Sequence, residues 1–326
     1  MNNDKTVVIT GGTGGLGYQA ARAVAASRTG WLVVVAGRDE RRTEDATRRL
    51  CQETGNEIVG MPLDLASLAS VRRFPGELAA RRLPPLRGLV CNAGVQVVGG
   101  LTRTEDGFEE TFAVNHLAHF LLINLLLPDF AEQSRIILVA SGTHDPQRRT
   151  GMPAPHYADA ATLADPPESA DGATTAGRRR YTTSKLCNVL TTYELARRLA
   201  AGTVPGDPTI RVNAFDPGLM PGSGLARDYG PLQRLVWRHL LPAATLLPIN
   251  VHTRRTSGKA LAGLITAPAL NDVTGGYFEG RKAARSSEES YDRHKAAELW
   301  QTSTNLLSRA SEGHAREANC WPPSMS

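Results

Sequence analysis

Apolar residues fall along this chain in short continuous runs separated by amphipathic stretches, the pattern of strands and helices taking turns. Residues 5–10, with Val7, Val8 and Ile9 at their centre, read as a buried strand, and 31–36 are a continuous apolar run, as strands are when both faces are covered. Between them Ala20, Ala21, Val24 and Ala25 line one side of a helix. A polar helix at 41–54, a strand at 57–61 and a helix N-capped by Ser67 follow. Residues 86–91 form a fourth strand, 108–127 a long apolar helix and 136–140 a fifth strand ending at Ser141. Tyr181 opens a helical pattern through Leu186, Val189, Leu190, Tyr193, Leu195 and Leu199. Strands at 209–215 and 273–279 and a helix at 287–307 complete the series. The alternation predicts an α/β fold: a single doubly wound Rossmann-type parallel sheet flanked by helices.

Three stretches depart from it. Residues 142–180, rich in Pro, Ala, Asp and Gly, show no sustained period, and loops this long in compact domains are usually functional covers or disordered. Residues 225–247 are amphipathic, with Trp237, Leu240 and Leu241 against Arg227, Arg234 and Arg238. Residues 312–326 read as a loose tail. No repeat or linker divides the chain, so one domain is expected over 1–311, with 142–180 a long insertion near the active site and 221–264 holding substrate-side helices.

With 41% hydrophobic and 21% charged residues the composition is that of a globular protein. The net charge of +5 comes from arginine pairs interspersed with acids, not from a contiguous basic face, so nucleic acid is not an expected partner. Cys51, Cys91, Cys187 and Cys320 match no metal-ligand spacing and fit a reducing compartment. No metal is expected. Residues 1–5 run directly into the first strand without a basic leader, and the longest apolar stretch, 120–127, is too short to span a bilayer. A cytoplasmic location is the expectation.

The first strand runs into Gly11-Gly12-Thr13-Gly14-Gly15-Leu16-Gly17 and then a helix. Strand, glycine turn and helix N-terminus together make an anion site, because free N–H groups and the positive end of the helix dipole face a pyrophosphate. At the end of the second strand Arg38 precedes Asp39; an arginine there accommodates the 2′-phosphate of NADP, an acid the 2′-hydroxyl of NAD. The order favours NADP. Asp64 follows the third strand, as ligand residue or as cap, and Asn115 sits inside an apolar helix, where its amide needs partners.

Tyr181 and Lys185, four apart, share a helix face. A phenol titrates near ~10 and needs a neighbouring ammonium to do acid–base work at neutral pH. A second pair, Tyr291 and Lys295, lies in a charged run. The chain holds 32 arginines and five lysines, so a lysine on an otherwise apolar helix suggests a compact ammonium suited to proton relay.

In order along the chain, Thr10-Gly11-x-x-x-Gly15-x-Gly17, Asp64, Asn92-Ala93-Gly94, Asn115, Ser141, Tyr181-x-x-x-Lys185 and Pro217-Gly218 resemble the short-chain dehydrogenase/reductase family. Arg38, Val114-Asn115-His116-Leu117 and Ser184-Lys185-Leu186-Cys187-Asn188 resemble the branch holding retinol dehydrogenases, the WW-domain oxidoreductase and light-dependent protochlorophyllide reductase. The resemblance implies an NADP(H)-dependent enzyme with catalytic Asn115, Ser141, Tyr181 and Lys185. Tyr181 would be the general acid, Ser141 would polarise the substrate, Lys185 would lower the Tyr181 pKa and hold the nicotinamide ribose, and Asn115 would continue a water-mediated relay. Thr10, Gly11, Thr13, Gly15, Leu16, Gly17, Arg38, Asp64, Leu65, Asn92, Ala93, Gly94, Pro217 and Gly218 would bind cofactor together with Tyr181 and Lys185. A bulky apolar carbonyl or alcohol substrate is expected, on a monomer or homodimer. A C=C reductase of the protochlorophyllide type, or a non-catalytic NADP sensor, are the alternatives. Two features depart from common relatives: Ala140-Ser141-Gly142 replaces a double serine, and Ser141 lies unusually far from Tyr181.

Overall fold

The computed structural model describes residues 3–220 and 252–319. Its centre is one eight-stranded sheet in the order β3-β2-β1-β4-β5-β6-β7-β8. The strands are β1 Lys5–Thr10, β2 Trp31–Gly37, β3 Ile58–Pro62, β4 Leu86–Cys91, β5 Phe130–Val139, β6 Arg211–Asp216, β7 Gly276–Glu279 and β8 Lys282–Ala284. Every pairing is parallel except β7 with β8. The order reverses between β1 and β4, which puts a crevice at the carboxyl ends of those strands, where open α/β sheets take ligands.

The strand centres are apolar because both faces of the sheet are buried. Val7, Ile9, Val33, Val35 and Phe215 pack on one side with helices α1 (Gly15–Ala25) and α7 (Arg254–Thr266). Val8, Val34, Leu89, Ile136 and Val212 pack on the other with α3 (Leu68–Ala80), α4 (the helical run Glu110–Asp129), α6 (Ala173–Ala200) and α8 (Arg293–Asn319). Helix α2 (Glu40–Thr54) leads from β2 to β3. The α4 run is long and apolar enough to cross a membrane, yet most of it is buried here, as suits a core helix. Arg135 of β5 fastens α7 by donating to the carbonyls of Leu264, Ile265 and Ala267, which a helix C-terminus leaves without partners.

Several elements differ from the sequence pattern. Helix α6 begins at Ala173, so Tyr181 lies in its third turn and does not open it. The 142–180 stretch is not structureless: α5 (Ala160–Ala164) lies within it, with Ala160 and Ala164 fully buried and the Ala160 N–H bonded to Thr302 of α8. Tyr157 and Leu163 of this stretch pack on the main core. Helix α8 continues to Asn319, so 312–319 is helical and not a loose tail. In the described part of 221–264, α7 packs on α1, with the position of a Gly258 Cβ only 2.4 Å from Cβ of Gln19. The amphipathic stretch 225–247 lies outside the described residues. Strand β8, three residues long and antiparallel, has no apolar signal to announce it.

Candidate active site

The turn after β1 is built for close backbone approach. Gly17 lies where a Cβ would be 2.5 Å from both Asn92 Nδ2 and the Gly11 carbonyl, so any larger residue would push α1 away from β4. Gly15 has φ +56°, and a Cβ there would meet nothing within 4 Å, which leaves the backbone bare toward open space. The N-terminus of α1 has no side-chain cap. Its first amides are therefore available to an anion. Leu16 points into the core. Thr10 is a hub: its Oγ1 accepts the N–H groups of Asn92 (2.9 Å) and Ala93 (3.0 Å), while Asn92 Nδ2 donates to the Thr10 carbonyl. Asn92 and Ala93 thus stitch β4 to the turn.

At the end of β2 the two candidate selectors part ways. Asp39 is the N-cap of α2, accepting from the Arg42 N–H at 2.9 Å. Arg38 is exposed just before it. Thr13 reaches across to Gly37, and a groove of about 610 Å³ runs from Thr13 past Arg42, Arg48 and Arg49. Asp64 is half-buried beyond β3, one oxygen accepting the Ala66 N–H in a turn, so the capping use is real. The Leu65 side chain is in the core.

Asn115 is completely buried at the centre of a π-turn, Ala113–Leu117, that interrupts α4. A π-turn widens a helix locally, and such bulges are frequent at functional sites. The side chain is engaged at both ends: Oδ1 accepts from the Val95 N–H (2.7 Å), and Nδ2 donates to the Val95 carbonyl (2.9 Å) and to Ser184 Oγ (3.0 Å). Gly94 brings Asn115 and Lys185 together, for a Cβ on it would lie 3.1 Å from Asn115 Oδ1 and 3.6 Å from Lys185 Nζ. Lys185 donates to the Val139 carbonyl at 3.1 Å and stands 5.5 Å from the centre of the Tyr181 ring. Tyr181 and Lys185 are both buried, 6% and 4% exposed. Burial pulls the Lys185 ammonium down to about 8, with the Asp216 carboxylate opposing that fall.

Ser141 follows β5 as the N-cap of a single 3-10 turn, its hydroxyl oxygen accepting the Thr143 N–H at 3.3 Å. His144 holds its backbone. The Ser141 carbonyl accepts from the ring Nδ1 (2.6 Å), and Nε2 accepts the Ser287 N–H (3.0 Å), which fixes the neutral Nδ1–H form. Asp216, at the end of β6, is the other group that sequence reasoning passed over. Its carboxylate accepts the Gly218 N–H at 2.9 Å, and burial raises its pKa. A Cβ at residue 142 would lie 3.0 Å from Asp216 Oδ2 and 3.4 Å from Arg148 Nη1. A side chain at position 142 would therefore press on this carboxylate and guanidinium. Arg148 is itself paired with Glu279 and with Asp145. Pro217 accepts Ser257 Oγ–H at 2.7 Å.

The competing pair is elsewhere. Tyr291 is 44% exposed and stacks on Tyr193, and Lys295 is tied to Glu289. Among the described residues there is no cluster of His, Cys, Asp and Glu fit for a metal.

All the sequence-derived candidates with resolved placement therefore lie on the carboxyl-end edge of the sheet or on α1, α4 and α6 beside it. Comparison with known proteins places the chain in a family. The short chain dehydrogenase family matches residues 5–153. Chloroplastic protochlorophyllide reductase of Daucus carota is 35% identical over 94% of this chain and 78% of its own length. Protochlorophyllide reductase of Avena sativa is 34% identical over 93% of this chain and all of its own. A blue fluorescent protein from a metagenomic library, solved in complex with NADPH, superposes with a TM-score of 0.61 at 25% identity, over 86% of this chain and 99% of that one.

Proposed function

Because the chain belongs to the short-chain dehydrogenase/reductase family, we propose that it moves a hydride between NADP(H) and a bulky, largely apolar substrate, with Tyr181 handling the proton. It is an oxidoreductase of that family. One observation carries the assignment of roles: Lys185 is buried with Tyr181 on one face of α6, its Nζ 5.5 Å from the phenol ring. A buried ammonium beside a buried phenol favours the phenolate, which makes proton donation at neutral pH feasible.

The residues present fit a dinucleotide. The uncapped α1 and the bare backbone at Gly15 suit a pyrophosphate, and exposed Arg38 beside the arginine-lined groove suits a 2′-phosphate. Asp39, held as a cap, is a poor competitor for the ribose. Asp64, Asn92, Ala93, Gly94, Pro217 and Gly218 would line the adenine and nicotinamide ends along the same edge. NADPH, when bound, supplies the hydride. Ser141, its backbone fixed by His144, offers its hydroxyl proton to the substrate oxygen. Tyr181 gives its proton to the reduced atom or oxygen. Lys185 holds the charge that eases this loss and steadies the ribose. Asn115, whose side chain already has partners at both ends, offers its main-chain carbonyl to a relay water.

A second reading is favoured by the relatives. Those named protochlorophyllide reductase match nearly the whole chain, so reduction of a C=C bond in a pigment-like substrate by the same tyrosine stands beside carbonyl reduction. An NADPH-oxidation screen over aldehydes, ketones and quinones, with NADH in parallel and protochlorophyllide in light and dark, separates them. Dark turnover of a carbonyl compound supports the first reading, and light-dependent turnover of the pigment alone supports the second. No turnover with tight NADPH binding would sink both in favour of a cofactor sensor.

A further inference from the structure

His119 is one turn beyond Asn115 on α4, 1% exposed, and has no part in the chemistry above. Its two ring nitrogens each have a partner. Nδ1 lies 3.2 Å from the main-chain carbonyl of Asn115, and Nε2 lies 2.8 Å from Thr10 Oγ1. A carbonyl can only accept, so Nδ1 must carry the proton and Nε2 must be the acceptor. The Thr10 hydroxyl then donates to Nε2 at 2.8 Å in preference to its longer contact with the Val90 carbonyl at 3.3 Å, and its oxygen still accepts from the Asn92 and Ala93 amides. The result is an unbroken directed chain from the backbone of β4, through Thr10 at the head of the dinucleotide turn, through the imidazole, to the Asn115 carbonyl.

From this geometry we propose that His119 is a positioning residue: its Nδ1–H sets the direction of the Asn115 carbonyl, and its Nε2 ties that carbonyl to Thr10, so the proton relay and the cofactor turn are held in register. The proposal rests on the relay role given to Asn115 above. Two features of the site make such a strut necessary. The π-turn centred on Asn115 shifts the helical hydrogen-bond ladder, which otherwise would fix a carbonyl's aim. The side chain of Asn115 is engaged at Val95 and Ser184, leaving the carbonyl as its contribution to a relay. Burial lowers the His119 pKa to about 4, with Lys185 repelling the imidazolium as a lesser cause, so the ring stays in one neutral form across the working pH range. His144 uses the same device on Ser141, with Nδ1–H on the carbonyl and Nε2 accepting an amide.

The test separates the two nitrogens. In His119→Asn an amide N–H stands near the Nδ1 position, whereas His119→Gln reaches the Nε2 position and His119→Phe fills the space with neither. With NADPH and the best substrate from the screen, His119→Asn is expected to keep kcat within about fivefold, and His119→Gln and His119→Phe to lose about ten- to a hundredfold, with NADPH KM moving less than about threefold. The solvent deuterium isotope effect on kcat should rise in the latter two. Equal kcat for the Asn and Gln variants, or losses that follow Tm alone, would overturn the proposal. A readout independent of turnover is the ¹⁵N spectrum of the imidazole in the protein without cofactor. Protonation at Nδ1 and not Nε2, unchanged from pH 8 to pH 5, is expected, and an Nε2–H form overturns the strut. A wild-type protein that turns over no substrate would fail the functional reading, and the spectrum would still decide the strut.

Discussion

Lys185 Nζ donates to the carbonyl of Val139, the last residue of β5, at 3.1 Å. Asn188 Nδ2 donates to the same oxygen at 3.1 Å. Helix α6 is thereby pegged, through both side chains, to the strand that delivers Ser141 two residues later. The peg sets the spacing between the tyrosine helix and the serine turn, although 39 residues of chain separate Ser141 from Tyr181.

This arrangement distinguishes the two Tyr-x-x-x-Lys pairs. Tyr181→Phe should lower kcat by about 10²- to 10⁴-fold, the usual contribution of a positioned acid, and leave NADPH affinity within a few-fold. Tyr291→Phe, at an exposed site whose lysine is engaged by Glu289, should retain activity. Steady-state kinetics and cofactor titration of both variants check this, and near-normal turnover in Tyr181→Phe refutes the assignment.

Lys185 should also leave a mark on pH dependence. Its folded pKa of about 8 is below the ordinary 10.5, so between these values the unfolded chain binds more protons than the folded one. The burial cost is fully present below pH 8 and fades as pH rises through that window. Lys185→Met without cofactor is therefore expected to have a higher Tm than wild type near pH 7, and the difference should shrink toward pH 10. The same variant should be nearly inactive. In wild type, reductive kcat/KM should fall above about pH 8 as the ammonium is lost. A Tm gap that is flat or grows with pH contradicts the burial argument.

Cofactor choice should reside in Arg38, not Asp39. Loss of a charge-assisted phosphate contact is worth ~1.5 to 3 kcal/mol, about tenfold to a hundredfold in NADPH affinity. Arg38→Ala should lose that much for NADPH and little for NADH. Asp39→Ala should instead lower stability by ~0.5 to 2 kcal/mol, as expected when an N-cap is removed, with the NADPH/NADH ratio nearly unchanged. Fluorescence titration with both cofactors and a urea melt decide; wild-type protein that binds NADH as well as NADPH ends the NADP assignment.

What the sequence made legible follows from local rules. Strands buried on both faces leave continuous apolar runs, and β1, β2 and β4 were readable to within a residue. Tyr181 and Lys185 were readable because helix geometry alone brings them together. The start of α6 was hidden because Arg178-Arg179-Arg180 interrupts any apolar period, while their helix is held from outside, as by Arg180 on buried Glu109. The surroundings of Ser141 were hidden for a different reason. Arg148 and Glu279 meet across 131 positions, and His119 and Thr10 across 109, and no short-range pattern encodes such contacts. Asp216 looked like an ordinary turn residue until β6 placed it behind Gly142.

We propose that the insertion between Ser141 and Tyr181 contributes to substrate choice. Its middle is tied to α6, for the His156 N–H donates at 2.9 Å to Thr183 Oγ1, two residues past Tyr181. Beyond that point Tyr157, Ala160 and Ala164 belong to the core with α8, so excising the whole stretch would unfold more than a cover. Before it, Met152, Pro153 and Pro155 are half-buried apolar residues on the approach to Thr183. These are the residues available to contact a bulky ligand. The double substitution Met152→Ala and Pro155→Ala should lower kcat/KM for the best bulky apolar substrate by about tenfold, in keeping with ~1 to 3 kcal/mol for apolar pocket contacts. Small aldehydes and NADPH affinity should be affected less than about twofold. Equal losses for large and small substrates, or none for either, would show that the insertion only buttresses α6 and α8.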